Sequence, residues 1–322
     1  MLSRRGFLAA TASAAVLRGA VLTPKIRIDR ALNGKDVDRP PFSYWHHFLD
    51  EDKPPESHAQ STLAFHTKFR TDLVKVMSDY PYPKPQSGEW YDLKIEENPF
   101  PQQIRALELI EEGLNGKVYF IETIFNPWNV AEKLSSPEKV RALKEEKPQK
   151  LLAALEIIAE SEAHHARRAQ EAGADGIFLA IANAQPGVMS EEDYAKFSEP
   201  FDKLVLQAAS SAPLNVLHLH CDARFSDKLY IDRFYQGWPA AAINYTLYSG
   251  IALAEARRKY NGVIMSGLDE RKYRSLTDGD LKDQKTSAQA AAGAKLILAP
   301  GCSVPNDATD DELLKLPKLL RA

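Results

Sequence analysis

In the segment Leu217-His218-Leu219-His220-Cys221 two imidazoles stand two residues apart. Side chains alternate along an extended chain, so His218 and His220 share one face while Leu217, Leu219 and Cys221 take the other. Paired imidazoles at that spacing can hold one metal ion without distorting the backbone. Cys302, in Ala299-Pro300-Gly301-Cys302, offers a third donor from far along the chain. Two histidines and a cysteine leave the fourth tetrahedral position of zinc open, as catalytic rather than structural zinc sites do. The same spacing also fits histidines that are hydrogen-bonded in a core and bind nothing.

Other residues could do chemistry from the ends of extended runs. His46 and His47 sit at the end of an extended run, where alternation lets only one of them face the site; either is a candidate acid–base group. Asp79 and Asp269 follow two further apolar runs and are candidate bases or hydrogen-bond acceptors, although an aspartate there also suits a helix cap. Trp45, Asn126, Asn244 and Asp269 are candidate substrate contacts. His164 and His165 are adjacent within a helical pattern, so they point about 100° apart and are read as surface residues.

Eight short apolar runs position these groups: Pro41–Trp45, Leu73–Ser78, Lys117–Thr123, Gly176–Ala180, Asn215–His220, Ala241–Thr246, Gly262–Ser266 and Lys295–Ala299. Several are nearly continuous in apolar residues, as parallel strands buried on both faces are. Helical stretches separate them. Ser136-Pro137-Glu138 supplies a cap and a first-turn proline, and Pro148 opens a second helix with apolar positions at Leu151, Leu155, Ile158, Ala159, Ala163 and Ala166. Ala-Gly-Ala junctions at 172–174 and 292–294 end helices just before strands. Alternating strands and helices predict an α/β chain with a single (β/α)8 TIM barrel, its chemistry at the C-terminal strand ends. Asp50–Pro55 and Tyr80–Pro85 read as loops over that mouth. A doubly wound open sheet is the second choice, but no Gly-x-Gly-x-x-Gly follows any strand.

The first residues carry a different message. Ser3-Arg4-Arg5-Gly6-Phe7-Leu8 and the Ala-rich stretch after it resemble a twin-arginine export signal. The reading is a signal over residues 1–24, a barrel over 25–322, and a periplasmic location; a basic N-terminal helix on a cytoplasmic protein is the alternative. The 322 residues carry 41 Lys+Arg and 44 Asp+Glu, a net charge of −3, with 44% hydrophobic residues. That balance excludes a disordered chain and gives no basic footprint for nucleic acid. No apolar run reaches the roughly 20 residues of a membrane span. Two cysteines cannot build a disulfide framework.

With these residues in place the chain resembles the uroporphyrinogen decarboxylase superfamily, which includes zinc-dependent methyltransferases acting on methylated corrinoid proteins. The resemblance covers about residues 26–321. It rests on Arg39-Pro40-Pro41, Lys68-Phe69-Arg70-Thr71-Asp72-Leu73-Val74-Lys75, Glu171-Ala172-Gly173-Ala174-Asp175-Gly176, Leu217-His218-Leu219-His220, Ser266-Gly267-Leu268-Asp269 and Pro300-Gly301-Cys302. It implies a single barrel with a deep cleft at the strand C-termini. The decarboxylases share an Arg-Gln-Ala-Gly-Arg segment after the first strand; here that place reads Trp45-His46-His47-Phe48, without the arginines a polycarboxylate needs. The methyltransferases share a His-x-Cys…Cys zinc motif. His218 and Cys302 match it, and His220 replaces the nearer cysteine, which raises the net charge of the centre by one. Cys221 lies one residue on, where a bulge would turn it inward.

The expected activity is therefore a zinc-dependent, methyltransferase-like or related lyase reaction on a small or corrinoid-linked substrate. Zinc would sit on His218, His220 and Cys302, with His46 or His47 and Asp79 lining the pocket. A corrinoid protein is the expected macromolecular partner. The rival activities are metal-free decarboxylation of a carboxylated tetrapyrrole or simpler acid, leaning on Asp79, Arg70 or Arg224, and non-catalytic tetrapyrrole or corrinoid binding.

Overall fold

Seven parallel strands form one sheet in sequence order: β1 (Leu73–Val76), β2 (Tyr119–Phe125), β3 (Ile177–Ile181), β4 (Val216–Leu219), β5 (Ala242–Tyr245), β6 (Val263–Leu268) and β7 (Leu296–Pro300). The computed structural model describes residues 21–48, 54–78, 80–226 and 228–321. The signal segment up to residue 20, Asp79, and residues 50–53 of the expected mouth loop lie outside the described residues.

The eighth position of the ring is held by the segment 41–45. Phe42 bridges Leu298 of β7 in parallel. On that side Ser43 N–H donates to Leu298 O and Leu298 N–H to Pro41 O; on the other, Asp72 N–H donates to Phe42 O. The segment thus joins β7 to β1 and makes the architecture a (β/α)8-like barrel. It forms one bridge rather than a full strand because Pro40 and Pro41 cannot donate ladder hydrogen bonds.

Helices cover the outside. In chain order they are α1 (Pro24–Leu32), α2 (Pro55–Phe69), α3 (Pro101–Leu114), α4 (Pro127–Leu134), α5 (Pro137–Glu146), α6 (Pro148–Glu171), α7 (Glu191–Phe197), α8 (Glu199–Ala208), α9 (Leu253–Lys259), α10 (Asp278–Ala292) and α11 (Asp310–Arg321). Their starts follow local chemistry. The Ser136 hydroxyl accepts from Lys139 N–H ahead of Pro137, and Thr277 and Asp280 form a reciprocal capping box at α10. None of the described helices is long and apolar enough to cross a membrane.

Strand alternation sorts the core into two shells. Leu73, Tyr119, Ile121, Phe178, Val216, Ala242, Met265 and Ile297 fill the barrel interior. Ile124, Leu179, Leu217, Leu219, Ile243 and Leu298 face the helices. The N-terminal end of the barrel is closed by α1, whose Ile28 joins the interior cluster. Arg27 and Arg39 both donate to buried Asp72, each at 2.5 Å.

One surface expectation is overturned. His165 is 1% exposed and pairs with buried Glu122 at 3.0 Å, and His164 Nδ1 lies 3.2 Å from Glu96 O. The 24-residue α6 packs against α3, α4, α5, α8 and β2, so it leaves too little solvent-facing surface for both rings.

Candidate metal centre at the barrel mouth

The register of β4 and β5 sets His218 opposite Asn244. Both belong to the inward-facing alternation, as the interior residues Val216 and Ala242 do. The Asn244 amide donates to Met265 O at 2.6 Å and to Pro300 O at 2.9 Å. Those bonds orient the amide so that its oxygen faces His218, and His218 Nδ1 donates to Asn244 Oδ1 at 2.6 Å. This assignment leaves Nε2 of His218 as the free lone pair, the role an outer partner commonly fixes for a metal-binding histidine. Phe178 stacks on the ring with centroids 4.8 Å apart.

His220 follows the last residue of β4 and keeps the ladder going, its N–H donating to Ile181 O. Cys302 follows β7. Its Sγ lies 3.7 Å from His220 Nδ1, and the three donor atoms of His218, His220 and Cys302 all lie within 4.8 Å of one another. Burial would push the Cys302 thiol up, but hydrogen bonds and charge from His218 and His220 outweigh it and bring it down to about 4. Burial lowers His218, whereas the bond to Cys302 raises His220. A thiolate beside a neutral, oriented imidazole is a donor pair that zinc takes directly. The residues fit that ion.

The turn bearing Cys302 is itself pinned. Gly301 N–H donates to Glu270 Oε2 at 3.1 Å, and the Thr246 hydroxyl donates to Glu270 Oε1 at 2.5 Å. A Cβ on Gly301 would lie 2.1 Å from Thr246 Cα, so only glycine lets the turn lie against β5 there. Burial raises the Glu270 carboxyl despite those donors.

The other expected site residues are distributed differently. Asn244 supports His218 and does not line open space. Trp45 is 4% exposed inside the barrel, edge-on to Phe178. His46 packs against Phe48 and Phe65 on the α2 side, while His47 is exposed and its backbone N–H donates to Asn306. Asn126 is fully buried, caps α4, and donates to Asn183, Ser198 and Asp202. Asp269 accepts from the Tyr248 hydroxyl at 2.8 Å, and its neighbour Glu270 is the carboxylate that reaches the Cys302 turn. Cys221 packs in the outer shell, its thiol donating to Ser226 O at 3.4 Å, so no bulge brings it inward. Sequence reasoning passed over Lys75. It is 8% exposed, stands at an inward position of β1, and places its ammonium 4.9 Å from the Phe178 ring centroid. The charge inside the run Leu73-Val74-Lys75-Val76 was the available signal.

Comparison with known proteins identifies the family of this chain. The uroporphyrinogen decarboxylase family model matches residues 81–317, well over half of the chain, and the chain belongs to that family. Among relatives, the methylcobamide:CoM methyltransferase MtaA of Methanosarcina barkeri (strain Fusaro / DSM 804) is 27% identical over 228 residues, 70% of this chain. A second M. barkeri MtaA is 26% identical over 228 residues. The match spans 64% of the length of each of these relatives. A methyltransferase structure from Methanosarcina mazei superposes with a TM-score of 0.74 at 19% identity, covering 93% of this chain and 98% of that one. A putative vitamin-B12-independent methionine synthase from Listeria monocytogenes has a TM-score of 0.52 at 10% identity, covering 83% and 85%. The structural likenesses establish the barrel fold.

Proposed function

We propose that this chain is a zinc-dependent methyltransferase-type enzyme that holds its metal on His218, His220 and Cys302 and works on a small substrate, with a methylated corrinoid as donor. The observation that carries this reading is the convergence of three donor atoms from β4 and β7 at the C-terminal end of the barrel. Barrel enzymes place their chemistry there. The similarity to methylcobamide:CoM methyltransferases supplies the reaction class.

Bound zinc with three protein ligands supplies Lewis-acid activation of a thiol or oxygen at its fourth position. The chain's own residues prepare that position. Asn244 keeps His218 in one tautomer. Glu270 and Thr246 hold the turn that presents Cys302. Phe178 packs against the His218 ring and keeps water from one side of it. A second imidazole where the related methyltransferases resemble each other in a thiolate leaves the centre one unit more positive, which favours a ligand that arrives as an anion.

Metal-free decarboxylation draws no support from the arginines it would use. Arg70 ends α2 just before β1, at the end of the barrel opposite the mouth. Arg224 is exposed and engaged with Asp222 at 2.6 Å.

The test is metal analysis of protein purified without chelator, together with His218→Ala and Cys302→Ala. Roughly one equivalent of zinc in the parent, largely lost in both variants, is expected. Below about a tenth of an equivalent, unchanged by either substitution, the zinc assignment fails. Transfer is read by the absorbance change of methylcobalamin with a panel of small thiols. Zinc without transfer to any of them would remove the methyltransferase reading and leave the metal site standing.

A further inference from the structure

On the outer face of β2, across the sheet from the His218 cluster, a cavity of about 210 Å3 lies between β2, α4, α6 and the segment 80–84. Alternation sends Tyr119 and Ile121 of β2 into the barrel and Ile124 outward, where it forms part of the cavity wall. Tyr80, Tyr82, Phe100, Phe125, Val130 and Leu134 make just over half of the rest, so the lining is largely aromatic and aliphatic.

Its polar groups are few and differ with depth. Glu162 of α6 is 2% exposed, and its Oε2 is buried with no hydrogen-bond partner. The Tyr82 hydroxyl, beside Ser161 but outside hydrogen-bond geometry with it, is buried in the same condition. At the open side stand two exposed lysines, Lys84 and Lys133. A buried carboxyl oxygen without a partner is rare and costly, and its position on a cavity wall points to something that completes it. Burial and the nearby Glu122 carboxylate raise Glu162 well above the ordinary range, against the opposing charge of Lys133. Glu122 needs no bond from Glu162, since His165 and Gln103 already serve its two oxygens at 3.0 and 2.8 Å.

We propose that this cavity binds a small aromatic carboxylate, with its ring between Tyr82, Phe100 and Ile124, its carboxylate toward Lys84 and Lys133, and an accepting substituent on Glu162. Aromatic walls select a ring through edge and offset contacts. Among the described residues the ionised groups at the opening are both cationic, which favours an anion as the charged end of the ligand. Burial favours the protonated form of Glu162, which donates to an acceptor on the ligand. The site is separate from the metal centre, because the sheet lies between them.

The probe is 4-hydroxybenzoate, titrated into the full chain by calorimetry and ligand-observed NMR, with benzylamine as the cationic control. Saturable binding of 4-hydroxybenzoate is expected. Glu162→Leu should weaken it roughly tenfold or more, Glu162→Gln by less than about threefold because an amide still donates, and Lys133→Met by several-fold. Leu134→Trp, at a partly exposed rim position, should block the cavity even if Glu162→Leu fails to fold. His218→Ala and Cys302→Ala should leave the affinity unchanged. The proposal is overturned by no saturable binding up to about 10 mM, by binding that survives both Glu162→Leu and Leu134→Trp, or by tighter binding of benzylamine. Loss of binding in the His218 or Cys302 variants would put the ligand in the barrel mouth and equally overturn it.

Discussion

At the N-terminal end of the barrel, Asp72 is fully buried and accepts from Arg27, from Arg39 and from Phe42 N–H. At the C-terminal end, His218, His220 and Cys302 converge with an incomplete set of mutual bonds and a thiol drawn down to about 4. Both ends bring titratable groups together, yet only one provides every group with an opposite charge or donor. The sealed end joins α1, the segment 39–42 and the start of β1. The open end keeps lone pairs directed at shared space. Satisfied charge fixes the architecture here, and unsatisfied ligating capacity marks the place for chemistry.

The most severe way to break this contrast is Asp72→Ala. It leaves Arg27, itself 2% exposed, with one carboxylate partner instead of two. Loss of about 3–5 kcal/mol is expected, as for other broken buried pairs. In a chain of this size that lowers the melting temperature by roughly 5–8 °C. Zinc per folded molecule should not change. A drop of less than about 1 kcal/mol, measured by urea unfolding, would show that the sealed end is not what holds α1 in place.

At the open end, Asn244→Leu keeps the side-chain volume but removes the acceptor for His218 and the donor to Met265 O and Pro300 O. Metal affinity should fall by about 10–100-fold, the usual loss for an outer partner of a metal-bound histidine. Competition with a chromogenic chelator reads it. Gly301→Ala attacks the same centre through the backbone, since its Cβ collides with Thr246 and displaces the turn bearing Cys302. A stability loss of about 1–3 kcal/mol is expected, together with weaker zinc binding. Unchanged zinc affinity in both variants would mean that the open end is not organised around a metal.

Much of this was readable from residue order. The alternation that pairs His218 with His220 depends only on local extension, and the buried apolar runs guaranteed it. Seven of the eight expected strands appear with boundaries shifted by a few residues, because parallel strands advertise themselves by continuous Val, Ile and Leu. What could not be read were properties of packing between distant segments. His165 looks like a surface residue until α6 is enclosed by neighbours on several sides. Asn126 offers a site residue's chemistry, but the ends of β2 and β3 and the start of α8 use its whole donor capacity. Choosing Glu270 over Asp269 needed the exact turn after β6. The contribution of α1 was invisible because its burial comes from the open end of a barrel formed by the rest of the chain.

The smallest expected effect sharpens the contrast through pH. Asp38 accepts two bonds from Arg27 at 2.8 Å, one from Leu22 N–H and one from Arg39 N–H. Partial burial opposes ionisation, but these donors outweigh it and lower the carboxyl from 3.8 to about 2. Because its folded value lies below its unfolded one, Asp38 adds stability above pH 4 and loses that contribution as pH falls through 2. Solvent screening of this exposed residue reduces the contribution to about 1 kcal/mol. Asp38→Asn should therefore cost about that much at pH 6, and the gap from the parent protein should narrow steadily between pH 4 and pH 2. Urea midpoints at several pH values in that range measure it. A gap that stays constant down to pH 2 would show that the sealed end derives its stability from packing around Arg27 rather than from the charge on Asp38.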